Sequence, residues 1–485
     1  MLLNKSSISS LKPMKTPRWF NQTGFLSNVR IVTVIALFSG AAVCAIVALP
    51  FSVTGSSTAV AQPQAIDDSQ MRALSTTVGG ASPLATTKTV PHFFATTLDP
   101  DNEVTYGYNM VGADPNNCSG SNCDVTIPVD IIPLIVVVGG MTFDPTDSHQ
   151  ALNGALHSPE FALNDYGFTP FATAPGTFPL PPFTRFIRGP GGLLSQNDAG
   201  NLLQLQDATM RSQFNKTGSS PYHLRLGTPT VHDPITIVVP DHQGTLLISG
   251  RGVIFPSVDI HWWSTRIQEL KGSLGFIDPT HLPIFLTDSV MLHIGPNPFN
   301  CCVIGFHGAG EVPSNTNNGP QNGNGNQAVQ TFAWASWIRP GIFARALPPQ
   351  GSSTDWAVQD IHALSHEVSE WADDPFANNF VEGWTTPTAQ SAGCSFLLET
   401  GDPVTGIGFA KGTNIFDQTP NPNGTQSFDG FYHPEDEVHL PWFMRLAPNH
   451  VSEPTQTPSG NIGRYTFMGD LNPFPGFRMP AADCP

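Results

Sequence analysis

The spacing of histidine and carboxylate residues singles out one stretch of this chain, His366-Glu367-Val368-Ser369-Glu370. On a helix, His366 and Glu370 lie one turn apart, so an imidazole and a carboxylate can converge on one ion. The H-E-x-x-H pattern binds zinc for the same geometric reason. Here Glu370 takes the second ligand position, and a carboxylate is an acceptable zinc donor. Glu367 falls where a general base would stand beside a water activated by the ion. The donor set reads as a site for a divalent metal, with zinc the first choice.

His362 offers a second pair, His362/His366, but Ser365 stands where the inverted H-x-x-E-H pattern needs Glu. Eight residues separate His362 from Glu370, roughly 12 Å along a helix axis, which is too far to share one ion. His366 with Glu370 is therefore the preferred pair, with His362 in reserve or orienting a ligand. The plainer reading is a polar stripe on the solvated face of a helix.

The element that must position these residues is a helix over Asp355–Asp373, limited by Pro375. Ile361, Leu364, Val368 and Trp371 fall on one face; His362, His366, Glu370 and Asp373 fall on another. Upstream, Val125–Val138 reads as a strand region, and Leu193–Phe214 reads as a helix after a Pro/Phe/Gly loop over Pro170–Pro190. Ile235–Pro240 and Thr245–Phe255 are β-rich, and the Asp241-His242-Gln243-Gly244 between them has the form of a hairpin turn. Asp259–Leu270 reads as a helix. Leu282–Leu292, Cys302–His307 and Val329–Ile338 read as strands, and Pro313–Gln327 as a surface loop.

Composition bounds the class. The chain has 485 residues, enough for two or three domains or one large one. Charged residues make up only 12% of it, about half the usual share, so four His and Glu side chains within nine residues stand out. Gly (45) and Pro (46) point to many turns and long loops. Net charge is −17, and no basic cluster follows residue 30, which argues against nucleic acid as a partner. No Walker A, GxGxxG or GxSxG motif occurs.

Residues 31–52 are apolar and uncharged, preceded by basic residues and followed by Ala59-Val60-Ala61, an A-x-A cleavage form. Residues 1–61 are thus a cleaved signal peptide or an N-terminal membrane anchor, and either places the rest outside the cytoplasm: secreted, periplasmic or in the cell envelope. The membrane is met only through this segment. Residues 62–90 read as a flexible leader. Residues 91–485 form the main globular unit, with a possible division near 242 between a β-rich part and the part carrying the helix. Cys44 lies in the apolar run. The other six fit disulfides after export, with Cys118 paired to Cys123, and vicinal Cys301-Cys302 able to reach Cys394 and Cys484.

The stretch DIHALSHEVSEWADDPF, with LLETGDPVTGIGF and YHPEDEVHLPWF after it, resembles a group of secreted bacterial proteins of undetermined activity. The similarity runs from about Pro91 to the C-terminus and includes LQLQDATMRSQF and the Cys302–Ala309 segment. More remotely, HEVSE, Asp374-Pro375 and Glu399-Thr400-Gly401-Asp402 resemble elements of the plant Exordium-like (phosphate-induced) cell-wall proteins. The order helix, strand, strand, strand before the HExxE helix resembles that of zincin metallopeptidases, in which His fills the place of Glu370. The resemblances imply an α+β fold, a zincin-like mixed sheet with an active-site helix and long Pro/Gly-rich loops. They match His366, Glu367, Glu370, Glu399 and Asp402 to polar residues of those families, and His307 to a plant-family histidine.

Glu399 and Asp402 sit in a Gly/Pro turn, either as a third ligand or ligand-orienting group or as ordinary turn residues. His307 is a further donor; the default for an isolated histidine is a core residue. His439 after Glu435-Asp436-Glu437 reads as surface, and Asp436 and Glu437 as a calcium candidate without an EF-hand pattern. Seven tryptophans, among them Trp263, Trp371 and Trp442, read as core packing, with a sugar platform as the alternative. Two functions follow. One is a metal-dependent, peptidase-like hydrolase acting on an extracellular peptide or cell-wall component. The other is a non-catalytic exported binding or envelope protein whose helix keeps a structural ion or a polar cluster.

Overall fold

The computed structural model describes residues 88–147, 150–166, 202–214, 216, 220–312, 328–343, 358–385, 394–409, 411–416, 430–446, 465–467, 481 and 484. All of them belong to the unit Thr58–Pro485. The signal or anchor segment, nearly all of the leader, the 170–190 loop and the 313–327 loop lie outside these residues. Among the described residues no helix is long and apolar enough to cross a membrane.

The architecture is mixed α+β. Its main sheet uses Val129–Val138 (β1), Met141–Phe143 (β2), Thr230–Val231 (β3), Ile235–Val238 (β4), Leu282–Asp288 (β5), Gly305–Glu311 (β6) and Val329–Trp337 (β7). The order is β4-β1-β5-β7-β6, with β2 and β3 also pairing to β1, so strands from both sides of residue 242 share one sheet. β4, β1, β5 and β7 run parallel, and β6 closes the edge antiparallel to β7. Strands β5 and β7 are buried along their whole length, as interior strands covered on both faces must be.

Alternation along each strand sorts side chains to the two faces. Ile132, Phe285, Trp334 and Phe306 stand in register on one face. They pack with Ile260, Trp263 and Ile267 of the helix Ile260–Ser273 (α2). Asp259 caps that helix, accepting a hydrogen bond from the Trp262 amide at 2.9 Å. Ile131, Ile284, Ala333 and His307 stand in register on the other face. This face is covered by the helix His362–Asp373 (α3), whose Ile361 flank, Leu364, Val368 and Trp371 join that core. These four side chains are at most 2% exposed, worth about 1.5–3 kcal/mol each. The Trp371 indole N–H donates to Thr331 Oγ1 of β7 at 2.9 Å, pinning helix to sheet. The helix Leu205–Gln213 (α1) adds a second tie, since Gln213 Nε2 donates to Asp373 at 2.6 Å.

Several expectations are corrected. Helix α3 starts at His362, because Asp360 pairs with Ile338 in a β-bridge and takes a φ of +46°; 355–357 lie outside the described residues. Helix α1 starts at Leu205, with Leu202–Leu203 extended before it. Asp241–Gly244 does not close a hairpin. Ile235–Val238 joins β1, while Gly244–Ile248 pairs with Ile254–Asp259 across a turn at Ser249–Gly252. Gly252 there has a φ of +83° and donates to the Ser249 carbonyl, so glycine's left-handed freedom selects this turn. Cys118 pairs with Cys123 as its spacing suggests, whereas Cys301 pairs with Cys302 and Cys394 with Cys484. Six of the seven tryptophans singled out are buried in the core, and Trp262 is half-buried, so packing accounts for them.

Lys271 of α2 is a buried cation on the sheet face away from α3, with Nζ 5.6 Å from the Phe332 ring centroid. Burial pushes its pKa down to about 8. Below pH 8 the group is charged in both folded and unfolded chains, and the burial cost is felt in full. Between pH 8 and 10.5 the unfolded chain holds the proton that the folded one has lost, so this group's contribution to stability rises with pH. We predict that Lys271→Met raises the unfolding free energy at pH 7 by about 1–3 kcal/mol, and that the gain shrinks by pH 10.5. Denaturant melts at both pH values read this directly; an equal effect at both would refute it.

Candidate metal centre

The polar face of α3 is not solvated. The Glu399–Asp402 turn and the Glu435–His439 segment close over it, and within the helix only His366 retains partial exposure, its side chain 12% accessible. Glycines permit the close approach. A Cβ on Gly305 of β6 would lie 2.4 Å from Glu367 Oε1, and one on Gly401 would lie 2.4 Å from His366 Nδ1.

His366 is the hub. Its Nε2 lies 3.1 Å from Glu370 Oε2 and 3.7 Å from Asp402 Oδ1. Its Nδ1 meets Glu435 Oε2 at 2.6 Å. The other Glu435 oxygen accepts the Gly406 amide at 2.8 Å, and the Glu435 amide donates to Ser365 Oγ at 2.9 Å. A carboxylate on the far ring nitrogen fixes the tautomer and aims Nε2, as around many metal-bound histidines. Glu370 is held in the same way. Its Oε1 accepts the Gly401 and Asp402 amides at 3.1 and 3.2 Å, which leaves Oε2 to the histidines.

His307 enters from β6, fully buried. Its Nε2 donates to the Asp374 carbonyl at 3.0 Å. Its Nδ1 faces Glu367 Oε2 at 3.7 Å and Glu370 Oε2 at 3.6 Å. Glu399 Oε2 lies 3.9 Å from His307 Nε2. Two groups of potential ligand atoms thus share Glu370: His366, Glu370 and Asp402, and His307, Glu367 and Glu370. His362 belongs to neither. It faces Glu435 Oε2 at 3.4 Å, so it backs the residue that orients His366.

Electrostatics follow from burial. Glu367 is pushed up to about 7 by burial, moderated by the His366 and His307 rings. Burial also raises Glu399 and Asp402 well above the carboxylate range, reinforced by the Glu370 charge. For Glu370 burial acts upward too, but His366 and His307 hold it well below that range. Burial lowers both histidines, yet the surrounding carboxylates carry them well above the ordinary imidazole value. Among the described residues, Glu367, Glu370, Glu399, Asp402, Glu435 and Glu437 have no Lys or Arg ion pair; their cationic neighbours are histidines. Among the described residues, Glu367 Oε2 and both oxygens of Glu399 and Glu437 find no hydrogen-bond donor. Buried carboxylate and imidazole donors in this arrangement fit a divalent cation.

The candidate site residues His307, His362, His366, Glu367, Glu370, Glu399 and Asp402 therefore lie in or beside one cluster. Sequence reasoning gave Glu435 no role. His439 was expected at the surface and Asp436 and Glu437 as a calcium candidate, but Glu435, Asp436, Glu437 and His439 are all buried, and His439 Nε2 meets Ser212 Oγ at 3.1 Å. The available signal was the setting of that run, between Tyr432-His433 and Val438-His439-Leu440 in a chain short of charge. No protein-family model, curated protein or solved structure matches this chain.

Two outcomes are expected. Glu435→Gln should weaken divalent-metal affinity about 10–100-fold, measured by competition with a chromophoric chelator; unchanged affinity would remove Glu435 from the centre. Gly305→Ala should displace Glu367 and lower the thermal midpoint, whereas a melt and crystal structure identical to wild type would show that the approach is not tight.

Proposed function

We propose that this chain is an exported, metal-dependent hydrolase of peptide-like or cell-wall substrates, built around a zincin-like helix. The observation that carries the reading is the convergence of His366 Nε2, Glu370 Oε2 and Asp402 Oδ1, with the Glu367 carboxylate alongside, its Oε1 3.9 Å from His366 Nε2. His366, Glu370 and Asp402 would hold the ion, and zinc suits a nitrogen and two carboxylates. A divalent ion there supplies Lewis-acid activation of a water and of the scissile carbonyl.

The chain's own residues do the rest. Glu435 orients the His366 ring, the Gly401 and Asp402 amides orient Glu370, and His366 and His307 keep Glu370 ionised. Glu367, raised to about 7, exchanges a proton near neutral pH, as a base that takes one from water and returns it to a leaving group must. The export half of the reading rests on the 31–52 segment, the Ala59-Val60-Ala61 site and the cysteine pairing.

A second reading, a non-catalytic protein with a structural ion, is favoured by one observation: Glu367, Glu370 and Asp402 are each no more than 5% exposed. The two separate in one experiment. Zinc-loaded protein is assayed on peptide and peptidoglycan panels beside Glu367→Gln. The hydrolase reading expects the variant to keep the zinc held by His366, Glu370 and Asp402 and lose at least about 100-fold in kcat. Full turnover by Glu367→Gln would contradict the base assignment, and no turnover by either protein would leave the structural-ion reading.

A further inference from the structure

The His307 side of the cluster has a chemistry of its own. The Asp374 carbonyl can only accept a hydrogen bond, so His307 Nε2 must carry the hydrogen. The other ring nitrogen, Nδ1, faces Glu367 Oε2 and Glu370 Oε2 at 3.7 and 3.6 Å, where a bound cation would replace any proton on it. Both separations from Nδ1 are too long for a hydrogen bond. They match another arrangement. Donors about 2.0–2.2 Å from a tetrahedral ion stand roughly 3.3–3.6 Å from each other. The atoms are buried, and neither His307 Nδ1 nor Glu367 Oε2 has a hydrogen-bond partner. Glu399, at the other edge of the ring, adds two further unpartnered carboxylate oxygens.

We propose that the cluster holds two divalent cations, the second in a closed position formed by His307 Nδ1, Glu367 Oε2 and Glu370 Oε2. The inference rests on the first position being a metal site and deepens that reading. Glu370 Oε2 belongs to both donor groups, since it also stands 3.1 Å from His366 Nε2. A carboxylate oxygen shared between two donor sets is suited to a pair of adjacent ions. Glu367 spans them likewise, with Oε1 toward His366 and Oε2 toward His307. Exposure divides their roles. The His366 position adjoins the one partly accessible side chain of the cluster, and the His307 position is sealed. The inner cation therefore serves to neutralise carboxylates and position Glu367 and Glu370, while substrate meets the outer one. The donors, one nitrogen and carboxylate oxygens, suit zinc, cobalt or manganese rather than a soft monovalent metal.

The test uses the full purified chain, stripped with chelator, dialysed and titrated with Co2+, with bound metal counted by elemental analysis. Wild type should take two equivalents, His307→Gln one, and His366→Gln one. The doubly loaded wild type should show spin-coupled electron paramagnetic resonance, a readout that needs no variant to fold. A wild-type stoichiometry of one that His307→Gln leaves unchanged overturns the second position and keeps the first. Two equivalents retained by His307→Gln, or two ions without coupling, also overturns the shared inner position. No bound Co2+ in wild type removes both positions and, with them, the metal-dependent reading.

Discussion

Six carboxylates of this protein, Glu367, Glu370, Glu399, Asp402, Glu435 and Glu437, are buried together, with histidines as their cationic neighbours. Each ionised carboxylate out of water costs several kcal/mol unless it is paired. Histidines cannot balance that charge in full, because His307, His362 and His366 supply at most three positive charges and His362 reaches only Glu435. Either protons or metal cations must complete the balance. The fold around the cluster makes sense as the means of holding these groups close and dry despite their repulsion.

That holding is distributed over the whole unit. The sheet provides a rigid floor from which β6 alternates Phe306 into one core and His307 into the cluster. Helix α3 supplies three donors from one surface while its apolar flank anchors it to β7. The Glu399–Asp402 turn is fastened by its own amides to Glu370, and the 435 segment by Ser365 and Gly406. An ion bound here would contribute its binding free energy to folding, because it would tie together segments far apart in sequence.

Much of this was legible from the residues. The i, i+4 spacing of His366 and Glu370 is a local property of a helix, so it survives whatever the tertiary fold does. The apolar periods of Val129–Val138 and Val329–Trp337 likewise marked strands that exist. Non-local features were harder to read. Whether His307 was a plain core residue or faced the carboxylates depended on which strand flanked β6, and the sheet register buries it facing Glu367 and Glu370. His439 looked solvated because it follows an acidic run, yet the whole 435–439 segment is buried, and Glu435 meets His366 of the helix it packs against. The Asp241–Gly244 turn misled for a related reason: local turn chemistry cannot tell which strand the chain will join after turning.

The central claim is that a metal cation, rather than shared protons, balances these carboxylates. Anomalous diffraction at the zinc edge from crystals of the zinc-loaded protein tests it most directly. The account predicts a peak bonded to His366 Nε2, Glu370 and Asp402 at about 2.0–2.2 Å. The same map without such a peak, with the carboxylates in direct hydrogen bonds to one another and to the rings, would contradict it.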